Sequence, residues 1–192
     1  MARHKEFDEQ QALDQAVETF WSGTYASTST QDLCESTGLS RSSLYNAFSC
    51  KADLYQRSLR RYGELKDAER TAYLEHPGTG REALEALLGH VLETQGGSED
   101  RRGCMVINAA VEIGGDDDEV ASLTRASLDG FRGVVAQLIA RGQDDGSIAT
   151  TAPAAELATV VHAALNGLQV GARVATDPAA AGRGLQTLMS LL

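Results

Sequence analysis

The stretch Ser29-Thr30-Gln31-Asp32-Leu33-Cys34-Glu35-Ser36-Thr37-Gly38-Leu39-Ser40-Arg41-Ser42-Ser43-Leu44-Tyr45-Asn46-Ala47-Phe48 decides the fold. Thr28, Ser29 and Thr30 offer N-cap hydroxyls for a short helix running to about Thr37. Gly38-Leu39 makes a turn, and Ser40 caps a second short helix from Arg41 to Phe48. Two short helices joined by a tight, glycine-containing turn form a helix-turn-helix. The pattern requires Leu33 to face inward, Leu39 to plug the corner, and Leu44 and Phe48 to anchor the second helix at i and i+4. Arg41, Ser42, Ser43 and Asn46 are then left on the outward face. A helix that presents its N-terminal residues in this way suits the major groove of double-stranded DNA. Arg41 would fork onto guanine, and the serines would meet either donor or acceptor edges. The same pattern also describes an ordinary helical hairpin with a polar solvent face.

Working outward, helical periodicity continues in both directions. A first helix is predicted from Phe7 to Phe20, with Ala12, Leu13, Ala16, Val17 and Phe20 on one apolar face. After Ser49-Cys50 a long helix is predicted from Lys51 to Glu75, with Leu54, Leu59, Tyr62, Leu65 and Tyr73 as its stripe. Further helices are predicted at Arg81–Thr94, Cys104–Ile113, Glu119–Asp144, Pro153–Ala175 and Pro178–Leu191, separated by glycine, proline and aspartate signals. The expected fold class is all-α, with about nine helices. The expected organisation is a DNA-binding segment over residues 1–50 and an effector-binding and dimerisation segment over residues 51–192.

Composition is consistent with that. Hydrophobic residues make up 42% of the 192 and charged residues 23%, enough for a packed core. No apolar stretch is long enough to span a bilayer, and the start of the chain has no apolar core of a signal peptide. Cys34, Cys50 and Cys104 are odd in number and lack Cys-x-x-Cys spacing, which argues against disulfides and zinc and points to the cytoplasm. The net charge of -10 runs against DNA binding, but residues 1–60 carry six Lys/Arg against eight Asp/Glu. Most of the acidity lies beyond them, so any DNA contact must be local.

The run Leu44-Tyr45-Asn46-Ala47-Phe48-Ser49-Cys50-Lys51-Ala52-Asp53-Leu54 resembles the LYxxFxxKxxL signature of the tetracycline-repressor (TetR) family. Asp32-Leu33 and Thr37-Gly38-Leu39-Ser40 precede it at the matching distance, and the resemblance is strong over residues 10–57. Cys34 and Thr37 depart from the alanines usual there, but both are small. The resemblance implies a homodimer, a palindromic operator with one recognition helix per half-site, and a C-terminal body that binds a small-molecule effector. It implies that Arg41, Ser42 and Ser43 approach bases and that Tyr45, Asn46 and Lys51 hold phosphates. Lys51 also opens a helix, where backbone N–H groups attract phosphate. For Tyr45 core packing is an equal alternative, and for Thr28 and Ser29 capping competes with phosphate contact. Arg3 and Lys5 form a small basic arm at a terminus expected to fray.

Other signals lead nowhere chemical. Gly78-Thr79-Gly80-Arg81-Glu82-Ala83 follows a helix, whereas a dinucleotide fingerprint follows a strand. Asp116-Asp117-Asp118-Glu119 reads as a helix start favoured by the macrodipole, not a metal site. His4, His76, His90 and His162 are scattered, and no G-x-S-x-G elbow is present. No catalytic residue, cofactor or metal is expected. In the body, Arg102-Gly103-Cys104 resembles the Gly-Cys start of a helix in a branch of the family some of whose members respond to reactive electrophiles or small acids. A thiol there beside Arg101 and Arg102 is either a sensor or a small packing residue. His162, Asn166, Gln169 and Arg173 form a polar stripe that lines a pocket, crosses an interface or faces water. Candidate effector contacts are Cys104, Met105, Asn108, Phe131, His162 and Asn166. The apolar Leu157–Leu168 and Leu185–Leu192 segments, with Ala163, Ala164, Gly167 and Gly171, are expected at a dimer interface. Alternatives to an effector-responsive repressor are a helical small-molecule-binding protein or enzyme using the motif as scaffold, and a DNA-binding protein without an effector.

Overall fold

The computed structural model describes residues 8–96 and 102–192. Arg3, Lys5 and Arg101 lie outside the described residues. In chain order the elements are α1 (Glu9–Ser22), α2 (Thr30–Thr37), α3 (Arg41–Ala47), α4 (Lys51–Thr71), a 3₁₀ turn (Ala72–Glu75), α5 (Gly80–Gly96), α6 (Met105–Glu112), α7 (Asp118–Asp144), α8 (Ala154–Val174) and α9 (Ala180–Ser190). Among the described residues there is no strand, as the all-helical periodicity predicts. The helix expected from Lys51 to Glu75 tightens into 3₁₀ geometry over its last turn.

Packing groups the chain into two compact units, residues 1–65 with 105–125 and residues 66–104 with 126–192. This differs from the division after residue 50 expected from the motif, and side-chain bonding shows why. Early α4 is tied to α1 by Arg57–Glu9 at 3.2 Å and Arg61–Asp14 at 2.9 Å. It is also tied to the start of α7 by Arg60–Glu119 at 2.9 Å and by Gln56 donating to Asp117. The Arg61 guanidinium holds the Asp14 carboxyl below its usual range. Asp117 also accepts the Val120 N–H at 3.0 Å, so the acidic run caps a helix.

The core of the first unit is built from Ala12, Ala16, Val17, Phe20, Leu33, Leu44, Phe48, Leu54, Tyr55, Leu59 and Tyr62. Phe20 and Tyr55 meet edge to face at 4.9 Å. Leu65, placed on the α4 stripe by periodicity, is exposed instead. The second unit has its own core, in which Leu84, Leu87 and Leu88 of α5 meet Val135, Leu138 and Ile139 of α7, Val161 and Leu165 of α8, and Leu185 and Met189 of α9. Gly80, the middle of the spurious fingerprint, is there for close approach. A Cβ on it would stand 2.1 Å from the Gly142 backbone nitrogen.

Candidate functional site

In the first unit α3 is set by its flanks. Gly38 takes φ 70° after α2, a left-handed turn that glycine enters without strain. Ser40 then caps α3, its Oγ accepting the Ser43 N–H at 3.1 Å and meeting the Ser42 and Ser43 hydroxyls at 2.9 Å each. Leu33, Leu44 and Phe48 are fully buried beneath it, and Leu39 half-buries at the corner. Arg41, Ser42 and Asn46 are exposed, and Ser43 is half-buried. Together they make one short polar surface with Arg41 as its cation.

Tyr45 is neither core nor free. Its hydroxyl bonds Thr30 Oγ1 at 2.8 Å and its half-buried ring lies under the Arg41 guanidinium at 5.9 Å. Lys51, opening α4, sits with its ammonium 4.6 Å above the Tyr25 ring. The turn carrying Tyr25 is held by Glu112 at the end of α6, whose carboxylate accepts the Tyr25 and Ala26 N–H groups at 2.9 and 2.8 Å. Ser29 caps α2 reciprocally with Asp32, and that hydrogen bonding holds the Asp32 carboxyl below its usual range, with Lys51 adding to the effect. Thr28 departs from the exposed set. It is buried and donates its hydroxyl to the Thr24 carbonyl at 2.7 Å, so in this conformation it is closed to a phosphate. Glu112→Ala should cost roughly 1–2 kcal/mol, because two turn amides lose a charged acceptor. An unchanged denaturation midpoint would contradict that role.

The second unit buries an unusual amount of polarity. Arg70 of α4 and His162 of α8 are each 7% exposed, and Gln95 and Gln169 are buried and bonded to one another at 2.8 Å. The His162 ring lies 4.8 Å from that of Phe131, which the Arg70 guanidinium faces at 5.9 Å. Burial, reinforced by the charges of Arg132 and Arg70, pushes the His162 pKa down to about 4, so the imidazole is neutral. Of the six candidate effector contacts, Phe131 and His162 touch. Asn166 is half-buried one turn further along α8, and Cys104 lies just before α6, near enough for its sulfur to act on Arg70. Met105 and Asn108 belong to the first unit.

Residues 12–57 match the profile described as "Bacterial regulatory proteins, tetR family", and residues 80–188 match "Tetracyclin repressor-like, C-terminal domain". The chain belongs to the TetR family. Among its TetR relatives, an HTH-type transcriptional regulator of Bacillus subtilis, YezE, is 36% identical over 121 residues, which is 63% of this chain and 62% of that protein. The aligned stretch therefore spans under two thirds of YezE. The HTH-type transcriptional repressor ComR of Escherichia coli is 27% identical over 190 residues, covering 98% of this chain and 87% of ComR. Among solved structures, a cysteine-substituted CifR, a TetR family transcriptional regulator complexed with 26bp operator DNA, superimposes with TM-score 0.84 at 26% identity over 98% of both chains.

Several side chains of this TetR protein escape a sequence reading. Glu112 and Tyr25 are 87 residues apart, and nothing local couples them. Arg70 sits in a run of charged α4 residues with no sign that it turns inward. Gln169 carried a signal, since it lies seven residues after His162 and so shares its face. The polar stripe on α8 divides: His162 and Gln169 are buried, Asn166 is half-buried and Arg173 is exposed.

Proposed function

We propose that this chain is a homodimeric, effector-responsive transcriptional repressor that works in the cytoplasm and holds a palindromic double-stranded DNA operator, one α3 per half-site. The observation that carries this is α3 itself, anchored by buried Leu44 and Phe48 and showing Arg41, Ser42 and Asn46 outward. Arg41 reads a base edge, the linked Ser40–Ser42–Ser43 hydroxyls lie at the helix N-terminus, and Lys51 and Asn46 hold phosphates. Ser29 and Tyr45 contribute at the rim. No reaction, cofactor or metal belongs to this function.

The dimer face is assigned to the outer side of α8. Val160, Ala163, Gly167, Val170 and Val174 recur at alternating spacings of three and four, all exposed, with Val170 at 57% and Val174 at 81%. The leucines expected at an interface behave otherwise: Leu165 is 1% exposed within its own protomer, and Leu168 and Leu188 are half-buried. Small residues along a valine stripe permit close helix approach between copies. The effector acts by population shift, binding better to a form whose paired α3 helices are misspaced for the operator. α4, which contributes residues to both units, is the proposed lever.

Arg41→Ala should cost about 1–3 kcal/mol and relax specificity at one base position per half-site. Lys51→Ala should weaken all sequences alike and flatten the salt dependence. Footprinting on the DNA upstream of the gene decides between this face and scaffold alone. Unchanged protection by both variants would remove α3 from the interface.

A further inference from the structure

We propose that Tyr25 is a positioning residue of the DNA face, its ring holding the Lys51 ammonium ready for a phosphate while leaving the charge whole. This rests on the assignment of Lys51 to the DNA backbone above and adds the group that aims it. The cations of residues 8–65 are Arg41, Lys51, Arg57, Arg60 and Arg61. Arg57 pairs with Glu9 and Asp53, Arg60 with Glu119, and Arg61 with Asp14. Arg41 and Lys51 make no ion pair among the described residues. Each rests on a tyrosine ring instead, Arg41 on Tyr45 at 5.9 Å and Lys51 on Tyr25 at 4.6 Å. The two cations assigned to DNA are thus the two that no carboxylate neutralises.

A carboxylate beside Lys51 would cancel its charge and compete with an incoming phosphate. An aromatic ring attracts a cation through its quadrupole and carries no net charge of its own. In a chain of net charge -10, a whole positive charge at the DNA face counts for more. The ring also restricts a long, flexible side chain before DNA arrives, so less freedom is lost on binding. Asp32 is near enough to feel Lys51, but its Oδ2 already accepts the Ser29 N–H at 2.7 Å. Tyr25 is itself held from two sides. Its N–H and that of Ala26 donate to the Glu112 carboxylate at 2.9 and 2.8 Å. Its ring packs 4.9 Å from that of Tyr55, which is buried. The lysine seat therefore belongs to the frame of the first unit, with α6 fixing it from outside the helix-turn-helix.

The test uses the full chain, a duplex taken from upstream of its gene and a scrambled duplex of equal length. Tyr25→Leu should weaken both about fivefold, because a phosphate contact carries no sequence. Tyr25→Phe keeps the ring and should bind like the wild type. Pentafluorophenylalanine at the same position keeps the shape but reverses the quadrupole, and should weaken binding at least as much as leucine. That protein carries the test if Tyr25→Leu does not fold. In a Lys51→Gln background none of these changes should have a further effect, because Tyr25 acts through the ammonium. Losses that persist in that background overturn the proposal. So does a fluorinated protein that binds like Tyr25→Phe, or a Tyr25→Phe protein as weak as Tyr25→Leu, which would put the hydroxyl in the ring's place. If Lys51→Gln weakens binding and the Tyr25 variants do not, this inference alone fails. If Lys51→Gln binds both duplexes like the wild type, the reading of the DNA face fails with it.

Discussion

Val170→Arg should give a chain that folds as a monomer and releases operator DNA. Val170 projects into solvent from the middle of the α8 stripe, so a cation there meets no packed neighbour within the protomer. In the proposed dimer the same position would lie against the symmetry mate, where two guanidinium groups would oppose one another in an apolar seam. Each α3 would then face one half-site alone. Losing the linkage between two half-site contacts costs on the order of 10²–10⁴ in affinity. Leu165→Arg is the contrasting variant. Its side chain is sealed in the protomer core beside Leu84 and Leu138, so it should lose cooperative unfolding as well as DNA binding. Light scattering and operator titration on both variants separate the outcomes. A Val170→Arg protein that still runs as a dimer, or a wild type that is monomeric at micromolar concentration, would place the interface elsewhere.

Acid should destabilise this protein through His162. His162 has a folded pKa of about 4 against an unfolded value near 6.5, so between those limits the unfolded chain takes a proton that the folded chain refuses. Stability is therefore intact above about pH 6.5 and falls as pH drops towards 4. The total loss is on the order of 3 kcal/mol. The cause is local: Phe131 packs on the imidazole, and the charges of Arg70 and Arg132 oppose a further cation. Asp14, Asp32, Asp53, Asp145 and Asp177 are all held below the ordinary aspartate range in the folded state, so the stability they contribute is lost further down the scale. Replacing His162 by Leu should flatten the profile across the upper window. Equal slopes for wild type and His162→Leu in denaturant titrations from pH 7 to 4.5 would rule out the assignment.

The helix-turn-helix was legible because its determinants are local. Ser29, Gly38 and Ser40 punctuate the chain, and Leu33, Leu44 and Phe48 follow a helical period that any burial must respect. Lys51 at a helix start was equally readable, though its seat on Tyr25 was not. The buried polar cluster of the second unit was read less well, because its determinants are tertiary. Arg70, Gln95 and Gly130 come from three helices, and each looks ordinary within its own. Periodicity assigned Leu165 to the interface and left the His162 stripe open. An apolar period says that a face is covered, without saying whether the same chain or a second copy covers it. Cys104 was paired with arginines adjacent in sequence, and its effect on Arg70 of α4 left no local signal.

The two units are threaded through one another in sequence, and that limits how the protein can be built and rebuilt. Residues 66–104 leave the ribosome between the helix-turn-helix and the α6 segment that completes its unit. Until Glu112 emerges, the Tyr25 and Ala26 amides lack their carboxylate, and Gln56 and Arg60 wait for Asp117 and Glu119. The DNA-reading head is thus unfinished while the other unit is already being synthesised. A chimera that grafts residues 1–65 onto a foreign body would leave those groups behind. Moving the reading head intact requires three junctions, after residue 65, before 105 and after 125, so that α6 and the opening of α7 are carried along.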